Sequence, residues 1–356
     1  MNICVACGGT GGHIFPGVAT AQELSSRGHD VTLWLAGREV EADSISGWSG
    51  KTVSMTAARL PAGISLKAIA AMFRISIVIF KSLVKMRELR PDVVLAMGSY
   101  TSVGAVIAAA LLRIPIVLHE ANSVPGKAIA VLARFAKCIG ITFPSAAEHL
   151  DSSKTVITGF PLRQSLHKAE KRNTTDTNFT LLVMGGSQGA HILNETVPKA
   201  VTQLHKNGLQ LNVIHLTGLQ DESRVAEWYQ AAGITAEVHA FAKEMESIYT
   251  RADFAITRAG AATCTELAVC GVPALLIPYP SAAKNHQMLN AMDMAGQGGM
   301  SMQPEQDMTV KWLAGYLRQM IEKPGRIADM RAKLENSAIG NGAELLANII
   351  EESAAT

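Results

Sequence analysis

A chain of 356 residues exceeds what one hydrophobic core usually serves, so two domains are expected, each able to bury its own core. With 32 Lys and Arg against 30 Asp and Glu, no bulk charge favours nucleic acid, and aromatics at 5% argue against a base-stacking surface. The 5 thinly spread cysteines exclude a disulfide framework, and the absence of a leader pattern before the first apolar run points to the cytosol.

Apolar runs at 3–6, 31–36, 93–96, 116–118 and 156–158 alternate with helix-like segments, the pattern of a doubly wound parallel sheet. Cys4 and Cys7 spell Cys-x-x-Cys, but strand residues three apart point to opposite faces, so they read as core packing and not as a redox or metal pair. The polar stretch 168–178 lacks periodicity and reads as a connection. Alternation restarts at 180–184, 211–216, 236–239, 254–257 and 274–278, which gives a second doubly wound domain. Helical patterns at 323–335 and 343–353 follow; either both cap the second domain or the last crosses back onto the first. No apolar run approaches the roughly 18 uncharged residues of a membrane span.

The segment 64–89 reads as one long helix with two apolar faces. Leu66, Ile69, Phe73, Ile77, Phe80 and Val84 form the first, Met72, Ile75, Ile79 and Met86 the second. Lys67, Arg74 and Lys81 recur every seven residues, with Lys85 on the same side. One face must pack on the sheet; the other, beside the basic stripe, suits an interfacial helix, the alternative being that neighbouring helices bury both.

Ligands of open α/β sheets bind beyond the carboxyl ends of the strands, and the motifs gather there. The first run leads into Cys7-Gly8-Gly9-Thr10-Gly11-Gly12-His13, a strand, glycine loop and helix suited to an anion. Later runs lead into Gly98-Ser99-Tyr100-Thr101-Ser102 and His119-Glu120-Ala121-Asn122. In the second half Gly185-Gly186-Ser187-Gln188-Gly189-Ala190, the loop 241–245, the stretch 258–266 and the loop 279–290 hold the same position. Two such edges facing each other would make a cleft with one substrate on each side. Neither glycine loop is a Gly-x-Gly-x-x-Gly fingerprint, and no Gly-Lys-Ser/Thr phosphate loop occurs, which disfavours ATP hydrolysis. Glu266, in the second turn of a helix, could accept both hydroxyls of a ribose or serve as a salt-bridge partner. Asn285, His286, Gln287 and Asn290 supply neutral groups suited to sugar hydroxyls. His13 and the pair His119-Glu120 are the acid–base candidates, which the residues alone do not rank. No carboxylate or histidine cluster with metal-ligand spacing occurs at these loops, so nothing calls for a divalent metal.

Together, Gly8-Gly9-Thr10-Gly11-Gly12-His13, His119-Glu120-Ala121-Asn122, Gly159-Phe160-Pro161-Leu162-Arg163, Gly185-Gly186-Ser187-Gln188-Gly189-Ala190 and Arg258-Ala259-Gly260-Ala261 with Glu266 resemble the MurG family of peptidoglycan N-acetylglucosaminyltransferases, in order and spacing over nearly the whole chain. The resemblance implies the α/β GT-B fold, two Rossmann-like parallel-sheet domains. An acceptor- and membrane-binding domain would span 1–160, with 341–356 packed back on it, and a UDP-N-acetylglucosamine-binding domain 161–340. It implies an inverting, metal-independent transfer of N-acetylglucosamine from UDP-N-acetylglucosamine to the muramoyl 4-hydroxyl of lipid I, giving lipid II, with no cofactor. His13 and Glu120 would be catalytic. Thr10, Gly11, Gly12, Asn122, Arg163, Ser187, Met245, Arg258, Ala261, Ala262, Thr263, Glu266, His286, Gln287 and Asn290 would meet the donor. Gly8, Gly9, Thr10, Gly11, Gly12, Gly98, Tyr100, Thr101 and Ser102 would meet the acceptor.

The implied setting is the cytoplasmic face of the bacterial inner membrane. There the second apolar face of the long helix, its basic stripe and nearby Lys137 would dock peripherally on anionic lipid, alongside other wall-synthesis and division proteins. The stretch Gly98-Ser99-Tyr100-Thr101-Ser102-Val103-Gly104 departs from the family's Gly-Gly-Tyr-Val-Ser-Gly-Pro, and Ala121 stands where Gln is common. A UDP-N-acetylglucosamine 2-epimerase of the same fold and a non-catalytic nucleotide-sugar sensor are the competing readings.

Overall fold

Strand β1 (Asn2–Ala6) sends Cys4 and Ala6 into one apolar core and Ile3, Val5 and, just beyond it, Cys7 into another. A run apolar at every position is what a strand covered on both faces requires. The computed structural model describes residues 1–37, 45, 47–55, 66–167, 178–186, 188–242, 244–335 and 341–355, with the backbone alone for 66–75. All five cysteines are free, and Cys4 and Cys7 are both buried.

The chain divides into two units, Met1–Arg163 with Asn341–Thr356, and Gln164–Gly340. In the first, β1 is joined by β2 (Asp30–Leu35), β3 (Lys51–Ser54), β4 (Val93–Ala96), β5 (Ile116–Glu120), β6 (Cys138–Ile141) and β7 (Thr155–Ile157). All pair in parallel, in the order β3-β2-β1-β4-β5-β6-β7. The second sheet contains β8 (Thr180–Met184), β9 (Asn212–Leu216), β10 (Ala236–His239), β11 (Phe254–Thr257), β12 (Ala274–Leu276) and β13 (Met300–Met302). Its order is β10-β9-β8-β11-β12-β13, again parallel throughout. In each sheet the winding reverses beside the first strand, between β1 and β4 and between β8 and β11, and those crevices are where such folds bind ligands.

Three strands escape the sequence reading. β3 is a Lys-Thr-Val-Ser edge strand exposed at three of its four residues, β6 holds Gly140 among four residues, and β13 is a three-residue edge. None offers a run long and apolar enough to register. The polar stretch 168–177 lies outside the described residues.

The last helix, Gly342–Ala355, crosses to the first unit, where Leu346, Ala347 and Ile350 are buried with Ile3, Val5 and Val18. Arg27 bonds Asn348, Glu351 and the carbonyl of Glu344, which ties this helix to the one carrying the first glycine loop. Lys137, placed at the lipid surface by the sequence reading, instead donates to the carbonyl of Ser353 at 2.9 Å, a cation on the carbonyl end of that helix.

The long helix spans Leu66–Leu89. From residue 76 onward its orientation reverses the expected one: Met86 of the expected outer face is buried, as is Ser82, while Phe80 is 68% exposed and Ile77 and Val84 are also outward. The reason is a close helix–helix approach. A Cβ on Gly104 of the helix Ser102–Leu111 would stand 2.7 Å from Ser82 Oγ, so the small-residue side faces inward and the bulky apolar side is left out. The candidates Lys67, Arg74, Met72 and Ile75 lie outside the described side chains.

Candidate active site

In the first unit the loop after β1 turns at Gly9, whose φ of +131° only glycine adopts readily. The helix Gly11–Ser26 follows at once, preceded by an extended Thr10 with no side-chain cap. Instead, Thr10 Oγ1 lies 3.1 Å from His13 Nδ1. The amino end of the helix is thereby left to the loop, as an anion site requires. The His13 ring lies against the neighbouring loop: a Cβ on Gly98 would stand 3.5 Å from its Nε2. Desolvation of this half-buried ring lowers its pKa below the ordinary histidine value.

Gly98 and Ser99 both have positive φ, +88° and +67°. Thr101 Oγ1 donates to Gly8 O at 2.6 Å, and Ser102 Oγ reaches the carbonyls of Ala6 and Gly98. Both hydroxyls, expected on the acceptor, are thus turned onto backbone, Thr101 tying the second loop to the first and Ser102 tying it to the end of β1, while Tyr100 is half-buried beside them.

His119 and Glu120 end β5 and are buried. His119 Nε2 donates to Gly159 O at 3.0 Å, its Nδ1 has no hydrogen-bond partner, and burial pushes its pKa down to about 4, so it is a fixed neutral imidazole. The Glu120 carboxylate accepts from the Asn122 amide at 2.8 Å and the Gly126 amide at 2.9 Å. Burial raises its pKa against those hydrogen bonds. Its place is that of a loop organiser, and of the acid–base candidates His13 alone stands partly open. Asn122 lies in that loop, its side-chain amide 3.4 Å from Glu120 Oε1. Arg163 stacks over Phe15 at 5.6 Å, which brings its charge to the helix of the first glycine loop.

In the second unit β8 leads into the loop 185–190 and the helix His191–Lys206. Gly189, φ +77°, packs so tightly on the end of β9 that a Cβ would lie 2.0 Å from Thr217 O. Behind the loop a buried chain holds this geometry: Tyr229 Oη to His215 Nδ1, His215 Nε2 to Asn194 Oδ1, and Asn194 Nδ2 to Thr217 O. Ser187 lies outside the described residues.

The helix Ala261–Val269 begins directly after the loop following β11, with Gly260 before it and no side-chain cap, so its first turn, Ala261, Ala262 and Thr263, offers amides to an anion. Glu266 lies one turn further, and Tyr249 Oη donates to its Oε2 at 2.7 Å. Met245, expected near the base, starts the helix Met245–Arg251 that carries Tyr249. Arg258, expected on the phosphates, makes a 2.6 Å ion pair with Glu305 and donates to Ile277 O. Its side chain is thereby held against the loop after β12. Asn290 is fully buried and donates to Ala259 O at 3.1 Å, behind the same turn. Gln287 Oε1 accepts from Tyr279 N, and His286 Nδ1 donates to Ala283 O, after consecutive left-handed residues Lys284 and Asn285. Tyr249 and Glu305 are the site-shaping residues that sequence reading misses. Tyr249 stands one turn beyond Met245 and could be found by helical spacing; nothing in the spacing pairs Glu305 with Arg258. Among the described residues no group of three His, Cys, Asp or Glu is arranged to hold a metal ion.

Two parallel-sheet units, each with a glycine loop opening a helix at its switch point, define the GT-B glycosyltransferase class. Residues 3–141 match the glycosyltransferase family 28 N-terminal domain, and residues 180–346 its C-terminal domain. The chain belongs to the MurG family. It is 36% identical over 333 residues to the UDP-N-acetylglucosamine--N-acetylmuramyl-(pentapeptide) pyrophosphoryl-undecaprenol N-acetylglucosamine transferase of an Anaeromyxobacter species, covering 92% of this chain and 86% of that one. The protein of the same name from Syntrophotalea carbinolica is 34% identical over 356 residues, 98% of each chain. The crystal structure of Acinetobacter baumannii MurG superposes with a TM-score of 0.81 at 29% identity, covering 98% of this chain and 99% of that one. A UDP-N-acetylglucosamine 2-epimerase from Neisseria meningitidis aligns over 99% of both chains with a TM-score of 0.67, but at 14% identity that likeness is one of fold.

Proposed function

We propose that the chain transfers N-acetylglucosamine from UDP-N-acetylglucosamine to the muramoyl 4-hydroxyl of lipid I, inverting the anomeric centre and giving lipid II. The observation that carries this reading is 34% identity spread over 98% of both chains with a transferase of that name.

The second unit holds the donor. Glu266 takes the ribose hydroxyls, and the amino ends of the helices His191–Lys206 and Ala261–Val269 meet the diphosphate. The first unit holds the acceptor diphosphate on the loop 7–13 and the loop around Gly98. The 4-hydroxyl oxygen attacks the anomeric carbon as the bond to UDP breaks, and its proton passes to His13. For that role Nδ1 carries hydrogen and donates to Thr10 Oγ1, which leaves the Nε2 lone pair for the substrate. Charge on the departing diphosphate is met by fixed amide dipoles, a preorganised stabilisation that needs no rearrangement during reaction. The reading includes no cofactor and no metal.

The acceptor's lipid makes a peripheral site on the cytoplasmic face of the inner membrane the fitting location. No helix among the described residues is long and apolar enough to cross a membrane. Ile77, Phe80 and Val84, with exposed Lys81 beside them, form a face suited to dipping into an anionic leaflet. Incubation with UDP-N-acetylglucosamine alone tests the reading against the epimerase: the transferase leaves the sugar configuration unchanged, whereas release of the manno isomer would overturn it.

A further inference from the structure

We infer that Tyr249 is a positioning residue that aims the Glu266 carboxylate at the donor ribose, an inference that rests on the donor assignment above. Tyr249 lies in the helix Met245–Arg251, which packs on β8, and its side chain is 2% exposed. Its phenolic oxygen is 2.7 Å from Glu266 Oε2. An ionised carboxylate can only accept, so the phenol donates, and a charge-assisted bond of this length is among the stronger side-chain interactions.

The need for such a partner follows from the geometry of glutamate. Its terminal torsion is broad and roughly twofold, so a Glu on a helix face does not by itself fix the plane of its carboxylate. Two vicinal hydroxyls demand a fixed plane, because each must find a lone pair in a set direction. A carboxylate offers about four lone-pair sites, so the bond to Tyr249 orients the group while occupying only one of them. The phenol reaches Glu266 from a different helix, and its own ring is locked by burial. The one carboxylate on the tyrosine's own helix, Glu246, accepts from Ser165 Oγ. Tyr249 touches no reacting atom in this account; it acts through Glu266.

The test is calorimetry of UDP and 2′-deoxy-UDP on the full-length wild type, Tyr249→Phe, Glu266→Ala and the double variant, with donor KM and kcat measured in parallel. The wild type should prefer UDP. Tyr249→Phe, which keeps the ring, should shrink that preference about threefold to tenfold, the loss falling on donor KM and not on kcat. In the double variant the preference should match that of Glu266→Ala alone, because the two side chains act as one unit. A wild-type preference in Tyr249→Phe, with the preference lost in Glu266→Ala, would overturn the inference and leave the donor assignment standing. Should Glu266→Ala itself keep the preference, the ribose assignment fails and the inference with it.

Discussion

His13 lies 3.1 Å from the Thr10 hydroxyl and rests its ring on Gly98, which joins the one partly open group among the acid–base candidates to both glycine loops of the first unit. If His13 is the base, its neutral form is the active one. Burial lowers its pKa, so loss of the neutral imidazole on acidification should be centred below the ordinary histidine value of about 6.5. The acidic limb of the kcat/KM profile should therefore be centred below that value; an acidic limb centred above it would contradict the assignment. His13→Ala should lower kcat by about 10²–10⁴ while leaving donor KM near wild type.

The terminal helix is held more by its apolar face than by its charges. Ile350→Ala opens a cavity in a fully buried site and should cost about 2–5 kcal/mol of unfolding free energy. Glu351→Gln weakens a partly exposed contact with Arg27 and His29 and should cost about 1 kcal/mol or less. The hydrogen bond to His29, and then Arg27, hold the Glu351 pKa low. Its contribution is thus complete above the unfolded carboxylate pKa and is lost as pH falls through the folded value. Urea titrations of both proteins should show a gap at neutral pH that closes in acid; a gap that widens in acid would be inconsistent with the ion pair.

Glu305 is the counter-charge that keeps Arg258 against the carbonyls of Ile277 and Pro278. Glu305→Ala leaves a largely buried guanidinium without that partner and should cost about 1–3 kcal/mol, between the values for exposed and fully buried pairs. Because Arg258 opens the loop that leads into the helix Ala261–Val269, donor KM should rise as well. Thermal melts and donor titrations check the two effects separately, and an unchanged KM would confine Glu305 to stability.

Phe80→Glu combined with Val84→Glu should reduce binding to anionic vesicles and spare activity on a soluble acceptor, since both side chains point away from the core. Vesicle binding equal to wild type would remove the helix from the docking surface.

The long helix shows what a sequence conveys and what it withholds. Its two apolar faces are legible from spacing, yet which one turns outward is decided by Gly104 on another helix, where the missing Cβ admits Ser82. Spacing within one segment carries no information about its partner. The glycine loops and the place of Glu266 in the second turn of its helix are legible because backbone conformation and helix phase are local properties. The inward turn of Thr101, Ser102 and Asn290 is not, because a hydroxyl or amide beside a ligand loop reads the same whether it faces ligand or backbone. Lys137 is a similar case: a basic residue near a basic stripe, engaged instead by a carbonyl more than two hundred positions away in sequence.

Transfer of radiolabelled N-acetylglucosamine from UDP-N-acetylglucosamine to a lipid I analogue, run with and without a chelator, tests the reaction itself. Labelled disaccharide product should form only with the acceptor present, at equal rates in both arms, and at a strongly reduced rate in His13→Ala. Absence of labelled product from folded, UDP-binding protein would rule out the transfer to lipid I.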